Sequence, residues 1–235
     1  MTEEQVTPKQ IAFVAYPGLT LLDLVGPLQT LSVLPLLGFP FETVTVGETL
    51  DAIDTDVGLK IVPNKTFDEV PDPLVIIVPG GTAPTLRALS NERLLNYLRS
   101  AAESAEAVAS VCTGSLILAA AGLLDNAKAS THWSFSQQLE RLGVEYIPER
   151  WVEQGKVIAS AGVSAGIDMA LQLAARLTNE QVARQIQLIL EYDPQPPFGP
   201  IDWSQVDRHS LDPLVNQWVH EGLAERPDLI AKLTR

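Results

Sequence analysis

The sequence predicts an α/β domain built on a mostly parallel sheet with helices on both faces, and three observations carry that prediction. Short apolar, β-branched runs recur along the chain, stretches with helical spacing separate them, and Gly and Pro punctuate the junctions. With 235 residues, 46% of them hydrophobic and 19% charged, the chain fits one large domain better than two small ones.

The first strand is read at 11–16 and is closed by Pro17-Gly18. Gly26-Pro27 then opens a helix through Leu28, Leu31 and Leu34, with proline in its usual first-turn position and Asp23 just ahead of it. Further strands are expected at 41–46, 74–78, 107–111 and 157–159, and Gln154-Gly155 reads as the turn of a hairpin. Residues 91–102 form a polar-faced surface helix, and 164–177 form a more apolar one that begins after Gly162. Thr178 is expected to cap a further helix at 179–191. The stretch 193–200 holds four prolines and reads as a connector, so the domain is expected to span 1–200. Residues 201–235 suffice for one or two helices that pack back on the domain or on a second subunit.

The single cysteine, Cys112, ends the apolar run Ala107 to Val111 and is followed by Thr113-Gly114-Ser115 and the helix-forming stretch 116–122. Strand, sharp turn, helix is the local pattern that displays a nucleophile, and a helix N-terminus is expected to lower the thiol pKa. The competing reading is a small buried core residue. Two other loops, Pro79-Gly80-Gly81-Thr82 and 17–23, also follow strands, and parallel sheets bind ligands beyond those ends. Gly80 and Gly81, together with the amide of Thr113, are candidates for an oxyanion hole, or else Gly80-Gly81 is a plain turn. Asp23 is the leading acid/base partner. Two full negative charges cannot face each other closely, so thiol and carboxyl should share a proton. The other reading of Asp23 is a helix cap; Thr113 either orients Asp23 or caps its own helix.

One cysteine and three scattered histidines, His132, His209 and His220, show no zinc-ligand spacing, so a structural metal is not expected. His132 follows a short β-like run and is a candidate wall residue of the crevice, as are Trp133, Val163 and Ser164; Trp133 and Phe135 read equally as core. Asp168 lies inside its helix with no partner apparent from sequence. No dinucleotide fingerprint or phosphate loop is found. The balance of 16 Lys+Arg against 29 Asp+Glu, net −13, argues against nucleic acid and against an anionic membrane. A polar N-terminus without the apolar core of a signal peptide, and a lone cysteine, lead to the expectation of a cytoplasmic protein.

Taken together, Val75 to Gly81 (VIIVPGG), Ser110 to Ser115 (SVCTGS), AGLL at 121–124, STHW at 130–133 and SAGID at 164–168 resemble, in this order, the ThiJ/PfpI superfamily. That superfamily belongs to the class I glutamine amidotransferase-like fold. The resemblance implies a flavodoxin-like three-layer domain with Cys112 as nucleophile, and a homodimer. Within it the chain is most similar to isonitrile hydratases, which carry the pattern seen here as Leu22-Asp23-Leu24-Val25-Gly26-Pro27 and as Leu190-Glu191-Tyr192 running on to Phe198. Many relatives carry Glu where Asp23 stands, and the protease branch places His directly after the cysteine, where this chain has Thr113. The implied reaction is hydration of a small isonitrile to a formamide through a thioimidate, by Cys112 and Asp23, with no metal or organic cofactor required. Other activities open to the resemblance are a cysteine redox or electrophile sensor, a glyoxalase and an amidase. AraC-type regulators carry related sensor modules, but the acidic tail after Pro200 does not read as a helix-turn-helix.

Overall fold

A computed structural model describes residues 7–234. The expectation for the N-terminal stretch, in so far as it concerns residues 1–6, lies outside them. The strands, in chain order, are β1 (Lys9–Val14), β2 (Phe41–Gly47), β3 (Ile53–Asp54), β4 (Lys60–Ile61), β5 (Lys65–Thr66), β6 (Val75–Val78), β7 (Ala107–Ser110), β8 (Lys128–Ala129), β9 (Glu145–Tyr146), β10 (Trp151–Gln154) and β11 (Val157–Ser160). The helices are α1 (Leu21–Leu31), α2 (Val33–Leu36), α3 (Ala83–Ala88), α4 (Glu92–Ser104), α5 (Gly114–Ala120), α6 (Ser136–Arg141), α7 (Ala165–Leu177), α8 (Glu180–Ile189), α9 (Asp212–Gly222) and α10 (Pro227–Leu233).

Seven strands form one sheet in the order β10-β11-β7-β6-β1-β2-β5, parallel throughout except for the β10–β11 hairpin at the edge. The central strands read as unbroken apolar runs because both faces are covered: Ile11, Phe13, Ile76 and Ile77 have no exposed surface. Each such side chain contributes about 1.5–3 kcal/mol of burial. One helical group, α1 with α7 and α8, and a second, α3, α5, α6 and α9, cover the sheet. From β1 the chain first moves outward to β2 and β5, then returns to lay β6 and β7 on the other flank of β1. The strand order therefore switches direction between β1 and β6, where open α/β sheets leave a crevice for ligands.

Several elements differ from the sequence reading, each for a local reason. Helix α1 begins at Leu21, so Asp23 lies within its first turn and Pro27 in its interior. The start is held from outside, by Leu21 N–H donating to Asp56 Oδ1 at 2.9 Å, which a local search for caps cannot detect. Asn179, not Thr178, caps α8, accepting from Val182 N–H at 3.1 Å. The hydroxyl of Thr178 instead donates back to Ala174 O at 2.6 Å and closes α7. The two-residue strands β3–β4, β5, β8 and β9 are too short to show a period. The residues after 200 pack on the domain: Trp218 stacks on Phe135 with ring centroids 5.9 Å apart, and Gln138 and Arg141 both donate to Leu233 O. An added Cβ at Gly222 would lie 2.4 Å from Ala83 O, so α9 crosses α3 backbone to backbone. No helix among the described residues is long and apolar enough to cross a membrane.

Candidate active site

Three loops at the carboxyl ends of adjacent strands meet at the switch point: Cys112 after β7, Gly80-Gly81 after β6, and Asp23 on α1 after β1. Cys112 has φ +57°, in the left-handed region that a residue with a Cβ rarely adopts. Such strain, of order 1–3 kcal/mol, persists only where surrounding bonds fix it. Here they do. Cys112 N–H donates to Ala161 O at 2.9 Å, while its carbonyl accepts from Thr131 Oγ1 at 3.1 Å and Ser115 Oγ at 3.2 Å. The turn also needs Gly114, whose added Cβ would sit 2.2 Å from Val78 O. Glycine there lets the helix start drive against the end of β6.

The Gly80-Gly81 loop is clamped from both sides. Thr20 N–H donates to Gly80 O at 2.8 Å, and Gly80 N–H donates in turn to Asp23 Oδ2 at 3.0 Å. Gly81 N–H donates to Thr113 Oγ1 at 2.8 Å, and that hydroxyl donates to Gly81 O at 2.6 Å. Both amides are thus satisfied internally, which corrects the expectation that Gly80 and Gly81 offer donors to a reacting centre. Thr113 likewise neither orients Asp23 nor caps α5 by its side chain. It ties the two loops together, and Gly80 performs the orienting of Asp23. Thr113→Val leaves both polar groups of the buried Gly81 backbone unpaired, so it is expected to destabilise by about 2–4 kcal/mol, with Thr113→Ser close to wild type, read from urea unfolding midpoints.

Asp23 has no exposed surface and Cys112 is 5% exposed. Burial pushes the Asp23 carboxyl from 3.8 up to about 7, against the opposing pull of the Gly80 N–H and of the Cys112 thiol. Burial, and then the neighbouring Asp23 charge, hold the Cys112 thiol well above its ordinary value, although the backbone and hydroxyl of Thr113 act the other way. The thiol is thus raised, where a helix N-terminus was expected to acidify it, because burial and the neighbouring Asp23 charge disfavour the thiolate. The pair loses its first proton near neutrality and its second far above. Asp23 Oδ1 is buried and makes no directed hydrogen bond among the described residues.

A cavity of about 380 Å³ opens nearby, and neither Cys112 nor Asp23 is among its lining residues. Thr131 and Ala161, which bond the Cys112 backbone, and Leu22, next to Asp23, form part of its wall. His132, Trp133, Val163 and Ser164, the four residues singled out in sequence, line it as well. His132 Nδ1 lies 2.8 Å from Ser134 Oγ and accepts from Ser134 N–H at 3.4 Å, and burial pushes the imidazole pKa down. Its ring leans on Gly162, where an added Cβ would meet Cδ2 at 2.8 Å. Of the two aromatics with two readings, Phe135 is core, at 2% exposure, and Trp133 faces the cavity. Asp168 holds Arg150, whose Nε lies 2.5 Å from Oδ2 and whose Nη2 reaches Ser164 Oγ at 3.2 Å. Sequence reading missed Arg150, Tyr146 and the distant Trp203 and Arg208, which carry no local motif. His209 pairs with Asp212 at 3.0 Å on the surface, away from the cavity wall. Among the described residues no group of three or more His, Cys, Asp or Glu side chains is arranged to hold a metal ion.

Comparison with known proteins gives the same placement. The DJ-1/PfpI family model matches residues 9–176. The chain is 41% identical over 189 residues to the isonitrile hydratase of Pseudomonas putida, covering 80% of this chain and 81% of that enzyme. It superposes on the crystal structure of a ThiJ/PfpI family protein from Pseudomonas syringae with a TM-score of 0.82 at 36% identity, over 97% of this chain and 90% of the other. It is also 27% identical to the transcriptional regulator GbdR of Pseudomonas aeruginosa, over 79% of this chain but 51% of the regulator. With a family model spanning β1 to α7 and a cysteine elbow at the switch point of a flavodoxin-like sheet, this chain belongs to the DJ-1/PfpI family.

Proposed function

We propose that the chain is a cysteine-dependent isonitrile hydratase, converting R–NC and water to an N-substituted formamide without a cofactor. The observation that carries the reading is a strained Cys112 beside a buried Asp23 carboxyl whose pKa lies at about 7, with Thr131 and Ala161, which bond the Cys112 backbone, in the wall of a cavity sized for a small molecule. The likeness to the Pseudomonas putida isonitrile hydratase over most of both chains supports it.

An isonitrile carbon needs both a nucleophile and a proton, and a pair that holds one proton between thiol and carboxyl supplies both. Asp23 takes the thiol proton as Cys112 Sγ attacks the terminal carbon, then delivers it to that carbon, giving the thioimidate S–CH=N–R. Asp23 next assists a water in adding to the CH carbon. Collapse of the adduct breaks the C–S bond, releases R–NH–CHO and returns the proton to the sulfur. Atoms balance with water as the only co-reactant. The buried wall around the pair shields the sulfur from competing reactions and strengthens the charge interactions on which each step depends.

A redox sensor fits the site less well. Sensor thiols are exposed and acidified, whereas Cys112 is buried and its thiol is raised. We also infer a small-molecule substrate and, from the family, a cytoplasmic homodimer. The test of function is formamide production from a panel of alkyl and aryl isonitriles, cyclohexyl isocyanide among them, followed by the formyl proton resonance. Stoichiometric formamide is expected. Folded protein that consumes methylglyoxal but yields no formamide from any of them overturns the reading in favour of the glyoxalase branch.

A further inference from the structure

The family model ends at residue 176, yet part of the cavity wall comes from beyond it. Ile201, Trp203 and Arg208 all lie on the segment that follows the proline-rich connector, and all three line the same cavity as Thr131 and Ala161, the two residues that bond the Cys112 backbone. Trp203 meets Trp133 edge to face, ring centroids 6.5 Å apart, so the segment continues the aromatic wall that His132 and Trp133 begin. Ile201 and Trp203 remain 63% and 47% exposed, an apolar surface that a ligand filling the cavity would cover.

Arg208 is the polar feature of this wall. It is half-buried, and among the described residues none of the ion pairs includes it. Its sequence neighbour Asp207 is turned away, accepting from the backbone N–H of His209 at 2.9 Å. Glu149, the acidic residue of the cavity wall, is exposed and forms no ion pair with either guanidinium. The other cation, Arg150, is already held by Asp168 and Ser164. Burial pushes up the pKa of the phenol of Tyr146, itself a wall residue, and Arg208 lies near enough to pull it the other way. In a chain of net charge −13, a guanidinium without an ion pair among the described residues, on the wall of a cavity that also presents Tyr146, Trp133 and Trp203, stands as a fork awaiting an anion.

We propose that segment 201–208 is the substrate-selecting cap of this site, and that it selects aromatic isonitriles bearing a carboxylate, with Arg208 as the anchor of that group. The inference rests on the hydratase reading for the reacting end of the substrate. The wall at Thr131 and Ala161 sets the isonitrile carbon against Cys112, the rings of Trp133 and Trp203 hold the aryl body, and Arg208 with the Tyr146 hydroxyl takes the carboxylate.

The test compares 4-isocyanobenzoate with its methyl ester. The acid is expected to exceed the ester in kcat/KM by about tenfold or more at low salt, with the ratio falling as ionic strength rises. Arg208→Gln is expected to lower that acid-to-ester ratio by about tenfold, chiefly through KM, and Arg208→Lys to lower it less, since the charge remains while the fork is lost. A wild-type ratio at or below one, or an unchanged ratio in Arg208→Gln, overturns the proposal. Failure of the hydratase reading is told apart by binding, measured on Cys112→Ala with 4-ethynylbenzoate and its methyl ester as linear, unreactive mimics. If no isonitrile is hydrated while the ethynyl acid binds about tenfold more tightly than its ester and loses this in Arg208→Gln, the chemistry is wrong and the anion-selecting cap stands. Hydration that runs equally on acid and ester leaves the chemistry intact and removes the cap's role.

Discussion

Cys112→Ser is expected to reduce formamide production to background, a fall in kcat/KM of about 10⁴-fold or more. The magnitude follows from the chemistry of the pair. A carboxyl poised near pH 7 can accept a thiol proton, but a serine hydroxyl is far too weak an acid to release one to it, and no covalent intermediate forms. The fold is expected to survive. The backbone of residue 112 is held by Ala161, Ser115 and Thr131, none of which contacts the sulfur to do so, so the urea midpoint should change by less than about 1 kcal/mol in free energy. Retention of more than a few per cent of activity by a folded serine variant, read by the formyl resonance, would remove the sulfur from the mechanism.

The second large effect is at Asp23. Asp23→Asn keeps an oxygen to accept from Gly80 N–H, so the loop stays in place, but the variant cannot carry a proton between sulfur and carbon. A fall of about 10²–10⁴-fold in kcat/KM is expected. The pH dependence discriminates further. The active form is the pair with one proton, which forms as the first proton leaves near pH 7, so wild-type kcat/KM should rise through about pH 7 with unit slope, and this limb should vanish in the variant.

Stability should move the opposite way. Between pH 3.8 and about 7 the folded protein holds a proton on Asp23 that the unfolded chain has released, so the native state binds more protons and stability declines as pH rises across that window. The loss amounts to roughly 4 kcal/mol by linkage and is complete above the folded pKa. The Asp23→Asn substitution removes this penalty, so the variant should gain stability relative to wild type at pH 8 and lose the gain at pH 4. A urea midpoint difference independent of pH would show that Asp23 is not protonated in the native state near neutrality.

The local features of this site were legible because each is written in consecutive residues. The apolar run to Val111, then Cys112, then Gly114 at a contact only glycine fits, specifies the elbow without reference to anything else. The central strands were legible for a similar reason: buried on both faces, they are runs of Val, Ile and Ala with no alternation. Boundaries were less so. Helix α1 was placed too late because Pro27 reads as a first-turn residue, whereas its start is fixed by Asp56, thirty-five positions beyond Leu21. The edge strands β5, β8 and β9 were invisible, being two residues each.

What the sequence determined by itself was the fold, the turn that carries the thiol, and the candidacy of Asp23 and Gly80-Gly81 as neighbours beyond strand ends. What only the tertiary structure decided was how those neighbours use one another: the Gly80 amide orients Asp23, the Gly81 amide is closed by Thr113, burial lifts both acids of the pair, and a segment far along the chain from the cysteine supplies Trp203 and Arg208 to the cavity walled by Thr131 and Ala161. The division has a physical cause. Backbone conformation responds to adjacent residues, but desolvation, hydrogen-bond satisfaction and the lining of a cavity depend on distances between parts of the chain that meet only when the sheet has formed.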